Sequence, residues 1–270
     1  MTIPLSPRIS AFPIRHGRAP FAMELRKLLW NQGGSSGESG KSRKGFDAFA
    51  FALPASLRDD ALEGVDALPS VRALVIRVDG SVRAYLPFDP CDAYVEALRQ
   101  ARQRRLSVEF LEDDSLLEGP LIQTLPDAYL AKGIGSQRYY EVAKQLLASQ
   151  GVDDRLARRA GTVFAGLRAM EKRFSRILFL CDFPLLTKLE EMFQEGSIAG
   201  MLAEAEGMPA AEATQAEPGQ RSGGIECRSY PVKPGLLFFA MGEIPFYAAE
   251  MEKERQNPIA EPQDYLDLVK

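Results

Sequence analysis

Short apolar runs recur along this chain, and most are followed by a segment whose apolar residues fall at helical spacing. "RISAFPI" (8–14), "FDAFAFALP" (46–54), "SVEFLEDD" (107–114) and "RILFLC" (176–181) read as strands. "APFAMELRKLLW" (19–30), "ASLRDDALEGVDAL" (55–68), "DPCDAYVEALRQARQRRL" (89–106) and "FPLLTKLEEMFQEG" (183–196) read as the helices that follow them. Two further helices are expected at about 136–149 and 153–173. Strands that alternate with helices bury both faces of a sheet, which points to an α/β fold. "VRALVIRV-DG-SVRAYLPF" (71–88) adds two strands around an Asp-Gly turn, a β-hairpin. The fold expected is therefore a mixed, mostly parallel sheet flanked by helices, with one β-hairpin and a C-terminal extension.

Composition shifts divide the chain. Residues 1–195 carry the α/β pattern, interrupted by a Gly-, Ser- and charge-rich flexible loop at 31–45. Residues 196–224, rich in Ala, Glu and Gly, read as a linker or insertion. Patterned structure resumes over 225–270 with a strand and a helix, an extension that packs on the same domain. The final "DYLDLVK" (264–270) looks like the start of another helix.

The net charge of −4 provides no basic field for nucleic acid or anionic lipid. The longest apolar runs, "ILFLCDFPLL" and "GLLFFAM", are too short to span a bilayer. The first residues lack a basic n-region followed by an apolar h-region, so no secretory signal is read there. Three cysteines far apart fit neither a disulfide framework nor a zinc ribbon. A reducing, bacterial-type cytoplasm is the expected location.

"SSGESGKS" (35–42) looks like a phosphate-binding loop. The pattern wants Gly at position 35, where Ser35 stands, and it belongs between a strand and a helix. Here a helix precedes it and a strand follows it. A nucleotide is therefore not expected, and no cofactor follows from the sequence.

The residues with chemical potential cluster at predicted strand ends and helix starts. His16, the only histidine, ends the first strand, with Gly17 beside it to let a ligand approach the backbone. The bland alternative is a histidine bonded to loop backbone. Asp89, Cys91 and Asp92 open a helix; they suit a metal, or Asp89 caps the helix while Asp92 complements its dipole. Glu112, Asp113 and Asp114 end the "SVEFL" strand and suit a cation or a general base, against a solvated loop. Asp154, Arg155, Arg158 and Arg159 open the long helix, where Arg155 and Arg159 share a face and could clamp a carboxylate or phosphate. Cys181 and Asp182 follow a buried strand, where the thiol is a nucleophile or a buried structural group.

The order of "IRHGRAPFAMELRKLL", "FDAFAFALPASLRD", "FDPCDAYVEALRQARQRRLSVEFLEDD" and "DDRLARRAGTVFAGLRAMEKRFSRILFLCDFPLLTKLEEMF" resembles the TraB/PrgY/ChaN/TIKI superfamily, which includes erythromycin-esterase-like proteins. The resemblance covers roughly residues 9 to 195. It implies a mixed α/β sheet with helices on its faces; members include metal-dependent proteases, a haem-binding protein and esterase-like enzymes. The family's GxxH motif after the first strand falls on Gly17-Arg18-Ala19-Pro20, with Pro20 in place of the histidine. Its acidic residue after the second strand falls near Ala52, and the arginine that follows matches Arg58. The acid after "VEFL" matches Glu112 or Asp113, and the acid–arginine pair of the long helix matches Asp154 and Arg155. The second GxxH becomes Cys181-Asp182-Phe183-Pro184. The resemblance thus implies a divergent domain that binds a small polar ligand or a protein partner through His16, Gly17, Arg58, Glu112, Asp113, Asp154 and Arg155. The alternative is a metal-dependent hydrolase with a rebuilt site, using Glu112, Asp113, Asp154 and His16 around the ion. An interaction domain would also expose an apolar patch, for which "GLLFFAMGEIPFY" is the candidate.

Overall fold

Runs that are apolar at every position need cover on both faces, and the fold places them in the middle of a parallel sheet. A computed structural model describes residues 2–33, 45–113, 124–149, 154–205 and 225–255. In chain order the elements are β1 (Ile3–Pro4), β2 (Ile9–Ile14), α1 (Ala19–Gly33), β3 (Ala48–Pro54), α2 (Arg58–Asp66), β4 (Arg72–Val78) and β5 (Ser81–Pro87). Then come α3 (Ala93–Arg104), β6 (Ser107–Glu112), α4 (Leu130–Ile134), α5 (Ser136–Ala148), α6 (Asp154–Glu171), β7 (Ile177–Asp182) and α7 (Phe183–Ala205). The last described elements are β8 (Ile225–Pro231), α8 (Leu237–Ala240) and α9 (Pro245–Arg255).

The larger sheet runs β1-β2-β7-β3-β6. Strands β2, β7, β3 and β6 are parallel, and the short β1 is antiparallel to β2. The central strands are the two most uniformly apolar: β3 is buried along its whole length and β7 over Ile177–Cys181. Register brings the strand ends level, with Ile14 opposite Asp182 and Pro54 opposite Glu112. Helix α1 packs on α3, while α5 and α6 pack on α7.

The α/β class is as expected, but the hairpin lies elsewhere. β4 and β5 join β8 in a separate antiparallel sheet of order β5-β4-β8. The mixed character of the main sheet comes from β1. Asp79 and Gly80 take φ of 50° and 76°, the two positive values that a tight hairpin turn requires. Leu74 and Ile76 are buried, and β4 packs on α2.

Two further expectations are corrected. Helix α1 runs to Gly33, past the start of the loop expected at 31–45. The "SSGESGKS" motif lies outside the described residues, but its flanks are a helix, α1, and a strand, β3, in the reverse of the phosphate-loop order. Helix α3 begins at Ala93, so its N-cap is Asp92 and not Asp89. Asp92 Oδ1 accepts from the Tyr94 N–H at 2.7 Å. Most of the 196–224 boundary and the 264–270 tail also lie outside the described residues; α7 continues through Ala205.

The C-terminal segment docks on the helices by charge. Arg26 Nη1 lies 2.7 Å from Glu254, and Arg99 Nη2 donates to Glu252 Oε2 at 3.0 Å. Arg255 pairs with Glu96, which is fully buried on α3 and also accepts from Gln100 at 3.0 Å. These bonds join α9 to α1 and α3.

Candidate functional site

Parallel strands place loop residues beyond their carboxyl ends, where backbone turns away and leaves a crevice. Here the level ends of β2, β7, β3 and β6 bring His16, Asp182 and Glu112 to one edge of the sheet. Two hydrogen-bonded groups occupy it.

The first is built around His16. Its Nδ1 lies 3.1 Å from Asp92 Oδ2, which also accepts from the Gly17 N–H at 2.7 Å. The Tyr94 ring meets the imidazole edge-on, with centroids 4.7 Å apart. Tyr94 Oη donates toward the carbonyls of Ala52 and Leu180, both at 3.4 Å, and so sits over the ends of β3 and β7. Burial alone would raise the Asp92 carboxyl. The imidazole beside it and the N–H groups of Gly17 and Tyr94 outweigh burial and hold it below the usual carboxylate range. An ionised Asp92 only accepts, so Nδ1 carries the proton that it receives. The His16 side chain is 51% exposed, and desolvation is still the largest single influence, acting against its charge. Asp92, with help from Asp182 and Glu112, raises its pKa above the ordinary 6.5.

The second group is built around Arg159. Its Nε donates to Glu112 Oε2 at 3.1 Å, and its Nη2 donates to Glu112 Oε1 at 2.7 Å and Asp182 Oδ2 at 2.6 Å. Asp182 Oδ1 accepts from the Leu185 N–H at 3.0 Å, which ties the pair to the first turn of α7. Glu112 and Arg159 are buried; Asp182 is partly open to water. Burial pushes the Glu112 carboxyl up to about 7 despite its bonds to Arg159, and Asp182 and Asp113 push the same way. The flanking carboxylates outweigh desolvation and hold the guanidinium charged. A carboxyl that titrates near neutrality beside a charged arginine can exchange a proton at physiological pH.

A third layer comes from the far end of the chain. Asp89 is buried and accepts from the Cys91 N–H at 2.8 Å and the Gly242 N–H at 2.9 Å. Burial raises its carboxyl to about 6. Arg18 Nη1 donates to the Gly242 carbonyl at 3.1 Å. Glu243 accepts from the Ala19 N–H at 3.2 Å and from Tyr129 Oη at 2.5 Å. Gly17, at φ +60°, and Gly242 are in backbone contact: a Cβ on Gly242 would lie 2.2 Å from the Gly17 carbonyl oxygen. The close approach that Gly17 permits is therefore made by the chain's own Met241–Glu243 segment, where a ligand was expected.

Of the expected site residues, His16, Gly17 and Glu112 meet at this edge. Asp113 follows Glu112 and acts on its charge. Arg58 opens α2 and its Nε bonds to its neighbour Asp59 at 3.0 Å, outside the bonds of the site. Asp154 is exposed on the first turn of α6. One turn beyond Arg155 on the same face, Arg159 holds the carboxylates in place of the expected Asp154–Arg155 pair. Asp114 lies outside the described residues. Sequence reasoning underrated Arg159, although a signal was present: Leu156, Arg159, Ala160, Val163 and Leu167 form one buried stripe of α6. A charge in an apolar stripe needs a buried partner.

The two cysteines beside the site are set against the thiolate form that a nucleophile needs. Cys91 and Cys181 are buried, and burial pushes both thiols up. Among the described residues, no three His, Cys, Asp or Glu side chains gather as a metal ion would need. The Glu112, Asp113, Asp154 and His16 set does not assemble as a ligand shell there. No helix among the described residues is long and apolar enough to cross a membrane. No family model, curated protein or solved structure matches this chain.

Proposed function

We propose that this chain is a divergent TraB/ChaN-like domain of a cytoplasmic bacterial protein. It binds a small polar ligand at the carboxyl edge of its parallel sheet, and His16 is the group the ligand meets. One observation carries the reading: a half-exposed imidazole, fixed by Asp92 through Nδ1, beside the Arg159-bridged Glu112 and Asp182. A side chain held by a buried carboxylate loses little freedom when it binds, which favours recognition. Asp92 raises the His16 pKa, and the protonated ring presents an Nε2–H donor, which suits an oxygen acceptor on the ligand.

The residues at the family's motif positions support binding over hydrolysis. Pro20 and Pro184 stand where the resemblance places histidines, and Ala52 where it places an acid. The carboxylates that do reach the edge are taken up by Arg159, by His16 or by backbone N–H groups.

The test uses His16 as reporter. As the only histidine, it contributes the only imidazole proton signals of the chain. Acetate, inorganic phosphate, a dipeptide and a monosaccharide are titrated in turn against the wild type and His16→Ala. The reading expects at least one to move the imidazole resonance and to raise the thermal midpoint of the wild type but not of the variant. Equal responses of both proteins, or none, count against it. Stoichiometric metal in the wild type, lost in His16→Ala, would overturn it in favour of the metallohydrolase.

A further inference from the structure

A second concave site lies at the N-terminus of α5. It is a cavity of about 310 Å³ lined by Glu24 of α1, by residues 134–138 and by Glu141. That volume stands at the low end for small-molecule sites, so it suits a ligand of few heavy atoms. None of these residues takes part in the hydrogen bonds around His16 or Arg159. The helix meets the cavity uncapped. A helix leaves its first backbone N–H groups without intrahelical partners, and its dipole places partial positive charge there. The N-cap is Gly135, which has no side chain to offer, and the first turn holds no acid. A Cβ on Gly135 would meet nothing within 4 Å, so space is open at this point.

Ser136, the first residue of α5, is an independent sign of a ligand. It is 2% exposed, and its Oγ has no hydrogen-bond partner among the described residues. A buried hydroxyl without a partner is unfavourable, and a bound group would supply the missing bond. The helix itself is fixed in place: Tyr139 Oη donates to the Pro126 carbonyl at 2.7 Å and Tyr140 Oη to Glu190 at 2.5 Å. The lining carries both signs of charge. Arg138 stands in the first turn of α5, Glu141 follows three residues on, and Glu24 comes from α1. Among the described residues, none of the three makes a salt bridge. A bare anion would meet the two glutamates, and a bare cation would meet Arg138 and the helix N-terminus. A ligand that carries both charges answers the whole lining. Ile134, 41% exposed, adds an apolar wall.

We infer that this cavity binds a free α-amino acid as its zwitterion. The carboxylate lies at the α5 N-terminus with Ser136 and Arg138, the ammonium at Glu24 and Glu141, and an apolar side chain against Ile134. The site is separate from the one at the strand ends and does not depend on it.

The test is isothermal titration calorimetry of the full chain with millimolar L-leucine. Beside it run N-acetyl-L-leucine, which lacks the ammonium, and L-leucine amide, which lacks the carboxylate. Saturable binding of leucine is expected, with each analogue about 10-fold weaker or more, because each leaves charged lining groups unpaired. Arg138→Gln and Glu141→Gln should each weaken leucine by about 5-fold or more. Ser136→Ala should also weaken it, while the ligand-free thermal midpoint stays level or rises, since the variant removes a buried hydroxyl that lacks a partner. His16→Ala should bind leucine as the wild type does. No binding of leucine, either analogue binding as well as leucine, or affinity unchanged in both Arg138→Gln and Ser136→Ala overturns the inference. Binding lost in His16→Ala would overturn it too and assign leucine to the site at the strand ends.

Discussion

His16 and Asp92 are separated by 76 positions in sequence, yet each sets the other's charge. Asp92→Asn removes the carboxylate, and its single amide oxygen can keep only one of the Gly17 and Tyr94 N–H bonds that now fall on two oxygens. The His16 pKa, followed through its proton resonance, should then fall from above 6.5 to a lower value. An unchanged titration would show that Asp92 does not hold the ring. At Arg159 the expectation concerns stability. Arg159→Met leaves Glu112 buried without its cation, and removing one member of a buried pair costs about 3–5 kcal/mol. Urea unfolding of the two proteins checks this.

At the scale of elements, two glycines hold segments together where a side chain does not fit. In α2, a Cβ on Gly64 would lie 2.0 Å from the Phe88 ring, which is itself buried. Gly64→Ala must push α2 away from the end of β5, and overpacking of this kind costs about 1–3 kcal/mol. At Gly242 the obstacle is the Gly17 backbone, which cannot rotate aside as a side chain would. Gly242→Ala should therefore displace the Met241–Glu243 segment from the His16 loop. The expected signature is a lower thermal midpoint together with a shifted His16 resonance; a midpoint change alone would show that the segment does not shape the site.

For the whole molecule, the buried charges predict a pH optimum of stability. Glu112 is raised to about 7 and Asp89 to about 6, so both hold a proton more tightly folded than unfolded. Their ionisation destabilises the fold as pH rises from the ordinary carboxylate range through those values. His16 is raised too: its stabilisation is complete below about 6.5 and is lost as pH rises through its folded value. Asp92 and Glu96 are lowered, so their stabilisation is present above the unfolded carboxylate range and is lost as pH falls through their folded values. The thermal midpoint should peak near pH 5, fall toward pH 8 and fall again in stronger acid. Glu112→Gln should flatten the alkaline side of the profile. A wild-type midpoint that rises from pH 5 to 8 would contradict these assignments.

What the sequence determined by itself is local. Continuous apolar runs became buried strands, helical spacing became amphipathic helices, and Asp79-Gly80 became a hairpin turn, because backbone sterics and the polarity of each side chain act over a few residues. His16 and Glu112 were legible as strand-end residues for the same reason. The tertiary structure decided what those elements meet. It placed β7 between β2 and β3, sent the hairpin to β8, and moved the helix cap from Asp89 to Asp92. It also chose Arg159 over Arg155 as the partner of Glu112, and set Gly242 against Gly17. Each of these joins residues far apart in the chain. Such contacts form only when burial, hydrogen bonding and charge are satisfied together across the molecule, and no window of sequence contains that balance.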